Sequence, residues 1–202
     1  ASRLGRPVAV ALDASGNVFI SDDGFKRVRR ITAATGVITT VAGGGTPTDG
    51  LGDGGPATAA ALVSPRGLSV VGVGNARWPA GTLFIADCYR DTNRQSPGPG
   101  RVRMVSPSGV ITTVAGNGAQ NTNGDTLFTG DGGPATNAAV GCADDVVVDA
   151  AGNLFIADSG NSRIRRVDAR TGIITTIAGN GQFGLAGVGR ARGRGSSWAP
   201  TR

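Results

Sequence analysis

Three Asp residues, Asp22, Asp87 and Asp158, each close a short apolar run, and Arg27, Arg101 and Arg163 each open the next one. A carboxylate and a guanidinium flanking one loop can pair and satisfy that loop's amides. The same carboxylates, set in a ring, could instead gather a metal ion or a substrate. Because the Asp and Arg recur in every copy of the surrounding text, the reading favours a structural pair that builds each copy. Further chemistry is limited by composition. The chain of 202 residues has no His and no Glu, and all 14 acidic residues are Asp. That removes the commonest general base, the commonest zinc ligand and any Ser-His-Asp or Cys-His unit. No catalytic constellation is recognisable, and the expectation is a chain that is not an enzyme.

Other candidate sites are weighed the same way. Asp53 and Asp131 sit in a Gly-rich segment, GDGGPAT, that occurs at 52–58 and again at 130–136. Together with Asp87 they are candidate ligands for Ca²⁺ on one rim, although no DxDxDG loop fixes a ligand set. The alternative makes Asp131 an N-terminal cap of the turn that follows. GNGQFG at 179–184 has the GxGxxG spacing but no helix pattern after it, so a dinucleotide site is not expected and no cofactor is assigned. Cys88 and Cys142 fall on the same rim of neighbouring repeats. They are either a disulfide, which would imply an oxidising compartment, or two free thiols.

These residues must be positioned by short strands. Gly accounts for 35 residues and aromatics for 4% of the chain, which suits many strands joined by tight turns. LFIAD, RIRRVD and GIITTIAG, within 152–179, are each about one strand long, and similar text stands at 16–43 and 81–116. With the run VAVALD at 8–13 the unit has four strands, and it recurs with blade limits of about 7–43, 65–116 and 143–179. The second copy carries two insertions, at 74–81 and 88–100, where added length costs little. Residues 185–202 lack any periodicity and are expected to be a disordered basic tail.

The phrases DAAGNLFIADSGNSRIRRV and VITTVAGNG, with GDGGPAT linkers, resemble the NHL repeat in its bacterial and teneurin-type form. The resemblance covers residues 4–184. It implies an all-β fold: a partial β-propeller of three four-stranded antiparallel blades, half of a six-bladed ring, with the first strand of each blade nearest the axis. Half a ring leaves two blade faces unpacked, which predicts a piece of a longer chain or self-association of half-propellers.

The functional expectation is a non-enzymatic scaffold that presents rim loops to a protein or carbohydrate partner. Trp78, Tyr89, Arg90 and Arg94, on the insertions, are the candidate contacts. The alternative is a metal-dependent hydrolase or lactonase of the propeller kind, and the third is an RNA-binding module, as some NHL-repeat proteins are. Nucleic acid is disfavoured by charge. Four of the 20 basic residues lie in the last eighteen positions, and without them the excess falls from +6 to +2. No apolar run is long enough for a membrane span. A secreted or cell-surface location is slightly favoured, although the chain starts at Ala1 and a signal peptide cannot be observed.

Overall fold

The computed structural model describes residues 3–90, 97–119 and 127–182. Twelve strands form three antiparallel sheets, each in the order of the chain. Blade 1 contains β1 (Pro7–Leu12), β2 (Val18–Asp22), β3 (Arg27–Ile31) and β4 (Ile38–Gly43). Blade 2 contains β5 (Pro65–Val70), β6 (Leu83–Arg90), β7 (Pro97–Val105) and β8 (Ile111–Ala115). Blade 3 contains β9 (Ala143–Val148), β10 (Leu154–Asp158), β11 (Arg163–Val167) and β12 (Ile174–Ala178). The first strands lie side by side, β1 against β5 and β5 against β9, as strands nearest a common axis must. The expected three-bladed partial propeller is what the chain forms.

Two apolar cores hold the blades face to face. Phe19, Val28 and Ala42 of blade 1 meet Leu68, Leu83, Ile85 and Ile111 of blade 2. Phe84, Ala86, Val102 and Ala115 of blade 2 meet Val146, Leu154, Ile156 and Ile174 of blade 3. Period-two alternation explains both, since neighbouring residues of one strand point to opposite faces and each face meets a different blade. The last strand of each blade ends on, or is followed directly by, a Gly with positive φ: Gly43, Gly116 and Gly179, at 83°, 87° and 84°. A Cβ there would sit 2.3 or 2.4 Å from the backbone carbonyl of the residue before Arg27, Arg101 or Arg163, so no other residue fits.

The GDGGPAT segments interlock neighbouring blades. Their second half makes a 3-10 turn, Ala57–Ala59 or Ala135–Asn137, with Pro at the N-cap position. Gly54 and Ala57 donate to the carbonyls of Ile111 and Gly109, and Gly132 and Ala135 donate to those of Ile174 and Gly172. Each linker thereby covers the outer edge strand of the blade that follows, where an open ladder would invite aggregation. Beyond the turn, Gly45 donates to Ala60 O and Asn117 to Ala138 O, tying the linker to the blade before it.

Candidate functional site

The recurring Asp and Arg stand opposite each other in register: Asp22 with Arg27, Asp87 with Arg101 and Asp158 with Arg163. The expected ion pair across the loop does not form among the described residues: backbone amides take up the carboxylates, and backbone carbonyls take up the Arg101 and Arg163 guanidinium groups. Asp22 accepts from the amides of Gly5 and Arg6, both at 2.8 Å. Asp87 accepts from Val63 and Ser64, and Asp158 from Gly141 and from the Asn161 amide group. Each Asp therefore fixes the entry of the chain into its own blade. Arg101 and Arg163 donate instead to the carbonyls of Asn117 and Asn180, beyond the fourth strand. The Asp and the Arg act as separate clamps and not as the expected pairs. Burial raises the pKa of Asp87 and Asp158 above the ordinary 3.8, despite the amides and arginines that favour their charged forms.

Two charge pairs made by buried arginines bridge linker to blade. Arg103 is fully buried and donates to Asp53 at 2.7 Å, with further bonds to the carbonyls of Ala61 and Leu51. Arg165, also fully buried, donates to Asp131 at 2.7 Å and to the carbonyls of Ala139 and Thr129, with Asp158 3.5 Å away. Next to each Arg the ladder to the fourth strand shifts register, between Val102 and Arg103 and between Ile164 and Arg165. A bulge of this kind re-aims a side chain. Arg29 has the same place in blade 1 and bonds the Thr39 carbonyl at 3.3 Å.

This geometry corrects two expectations for the linkers. Asp131 does not cap the turn after it, whose N-cap has no side-chain hydrogen bond. Nor do Asp53, Asp87 and Asp131 gather as one group among the described residues, since each is held by the partners just named. Asp131 also accepts from the Thr176 amide. Burial works to raise its pKa, but the bonds from Thr176 and Arg165 outweigh this and bring it below 3.8. Its contribution to stability is full above 3.8 and disappears as pH falls through the lowered value. Acid titration of Asp131→Asn should therefore show a shallower loss of stability below pH 3.8 than the parent chain, and identical acid limbs would contradict the assignment.

Cys88 and Cys142 form a disulfide between blades 2 and 3, with Cα atoms 5.0 Å apart. Asp144 is close enough to join them in a cluster of metal-binding type, but its carboxylate is held by Arg66 at 2.6 Å and by Ser159.

The two insertions differ in use. The first carries Trp78, expected at a partner surface, and that placement is corrected. Asn75 accepts from the amides of Arg77 and Trp78, a turn that points the indole inward. Trp78 is 9% exposed, packs edge-on to Phe84 at 5.1 Å and donates from Nε1 to the Gly152 carbonyl at 2.8 Å. It staples blade 2 to the first turn of blade 3. Trp78→Phe should keep the packing but orphan that carbonyl, lowering stability by about 1–2 kcal/mol in urea unfolding. A change within error would contradict the staple.

The second insertion lengthens a hairpin. β6 and β7 have 8 and 9 residues, where their counterparts in blades 1 and 3 have 5. The ladder continues past Cys88 with Gly100 and on to Arg90 with Pro97, so strand pairing reaches beyond the rim of the blade. Tyr89 and Arg90 lie on that extension, while Arg94 lies outside the described residues.

The sequence profile of the teneurin NHL domain matches residues 103–187, from β7 through the whole of blade 3. Residues 103–187 resemble NHL repeats, and the described fold is that of a partial β-propeller. Solved structures agree in fold. A structural-genomics protein of Bacteroides thetaiotaomicron is 21% identical with a TM-score of 0.57, over 82% of this chain and 36% of that one. A nidogen/laminin complex gives 18% identity and a TM-score of 0.56, over 88% of this chain and 50% of that one. An auxiliary nutrient binding protein from B. thetaiotaomicron gives 21% and 0.54, over 83% and 36%. This chain thus spans half or less of the length of these structures. No curated protein matches it in sequence.

Proposed function

We propose that the chain is a non-enzymatic propeller scaffold whose β6–β7 hairpin engages a protein ligand. One observation carries the reading: the hairpin is longer than its counterparts and is clamped at its foot. The disulfide at Cys88 ties it to blade 3, and Gly100 donates to the Val140 carbonyl of the second linker. Strands clamped this way at the foot lose little freedom on binding, which favours affinity. Tyr89 and Arg90 on β6, with Arg94 outside the described residues, supply the aromatic and guanidinium groups that commonly anchor protein interfaces. The nidogen/laminin complex supports protein binding as a use of this fold. The disulfide supports an oxidising compartment, consistent with a secreted or cell-surface setting.

The test replaces residues 89–99 by the Gly-Asn pair that blade 3 has in the same place, keeping Cys88 and Gly100. Parent and trimmed chains are applied to arrays of extracellular proteins and of glycans. Protein ligands captured by the parent should be lost from the trimmed chain while its melting temperature is kept. Ligands retained after trimming would overturn the site, and capture of glycans alone would turn the reading to carbohydrate.

A further inference from the structure

The first two strands are joined by residues 13–17 in blade 1 and 149–153 in blade 3, but by residues 71–82 in blade 2. A blade can therefore be built without the extra length, and the insertion does something more. It walls a cavity of about 270 Å³ between blades 2 and 3, on the rim opposite the β6–β7 hairpin. Arg77 and Trp78 come from the insertion, Val114 from β8, Thr136 from the second linker, and Leu154 and Val167 from blade 3. All of the lining belongs to the inner junction, within residues 77–172, so whatever adjoins the outer faces of blades 1 and 3 has no part in it.

The wall is fixed by the fold itself. Asn75 holds the amides of Arg77 and Trp78, and the indole is locked by Phe84 and by the Gly152 carbonyl. A Cβ on Gly152 would sit 3.1 Å from the Arg77 Cβ and 3.2 Å from the Trp78 Cδ1, so the insertion is seated close against blade 3. The Arg77 guanidinium lies 4.8 Å from the centre of the Trp78 ring. Arg77 is exposed, and no carboxylate pairs with it among the described residues. It is also the one charged residue in the lining. Asp168, which accepts from the hydroxyl of the lining residue Thr171, is already paired with Arg166 at 2.9 Å. Trp78, Leu154 and Val167 are buried, so a free cation stands beside an apolar floor.

We propose that this cavity binds a small organic monocarboxylate, its single-ring body resting on Trp78, Leu154 and Val167 and its carboxylate meeting Arg77. A guanidinium takes a carboxylate through two parallel hydrogen bonds. The apolar floor disfavours a solute that is polar all round, because its groups would be buried without partners. Size narrows the class further. A cavity of about 150 Å³ accepts a benzene ring, so the 270 Å³ here holds one ring together with its acid group. Drug-sized ligands take about 300–1,000 Å³ and are too large. A wall held in place beforehand loses little freedom when the ligand enters, which favours affinity. The site is separate from the hairpin and does not depend on the ligand proposed there.

Titration with phenylacetate, followed by the fluorescence of Trp78, tests it. The chain has two Trp, so Trp198→Phe is the starting chain and leaves Trp78 as the reporter. Phenylacetate should give a saturable change. Phenylacetamide, the same body without the charge, should bind at least about tenfold more weakly, since it forgoes a charge-assisted hydrogen bond. Arg77→Gln should erase the preference for the acid over the amide, and Thr136→Phe, which fills the cavity, should abolish binding of both. Both positions are exposed, so folding should be retained, as circular dichroism will report. Trimming the hairpin should leave phenylacetate binding unchanged. No saturable response, equal affinity for acid and amide, binding indifferent to both variants, or binding lost on trimming the hairpin would overturn the proposal.

Discussion

Arg165→Met is expected to destabilise the chain by about 3–5 kcal/mol, the usual cost of removing one partner from a buried charge pair. The guanidinium is fully buried and serves Asp131, Asp158 and the carbonyls of Ala139 and Thr129 together. Methionine fills a similar volume but leaves a buried carboxylate and two carbonyls without their donor. Arg103→Met should behave alike in blade 2, through Asp53 and the carbonyls of Ala61 and Leu51. Arg29→Met supplies the control. Arg29 has the equivalent place, is only half-buried and bonds one carbonyl, so its loss should stay near 0.5 kcal/mol. Urea unfolding of the three variants orders them directly, and equal losses at all three positions would refute the linker lock.

Removing the disulfide should cost about 4 kcal/mol, from the entropy of closing a loop that spans 54 positions. The bond joins the foot of the long hairpin to the entry of β9, so its loss frees blade 3 from blade 2 on that rim. Cys88→Ser with Cys142→Ser, compared with the oxidised parent, gives the number, and reduction of the parent should reproduce it. A double variant as stable as the parent would show that the inner apolar core alone holds these blades in place. The hairpin should also loosen, so ligand affinity is expected to fall along with stability.

The blades were legible because their signal is local and repeated. Alternating residues such as VFISD and LFIAD, with Gly-Asn turns at constant spacing, placed all twelve strands to within a few residues. Side-chain destinations were not legible in the same way. Asp22 and Arg27 are neighbours in register, and sequence spacing suggested a pair. The geometry gives the acid two amides at the blade entry instead, groups that lie 16 and 17 residues away. The Arg103–Asp53 and Arg165–Asp131 pairs span 50 and 34 residues, beyond any local pattern. A signal for them did exist: each GDGG aspartate precedes a blade whose third strand carries Arg in the same phase. Trp78 misled for a different reason. An insertion reads as surface, but the Gly152 carbonyl on the next blade needed a donor, and only the folded chain brings the two together.

Linkers, staple and disulfide make the three blades one interlocked unit. Scanning calorimetry of the oxidised chain tests it most directly, since cooperativity is the thermodynamic expression of interlocking. The account predicts a single transition with a ratio of calorimetric to van't Hoff enthalpy, per cooperative species, of about 1. Two or three resolved transitions, with blade 1 melting apart from blades 2 and 3, would contradict it.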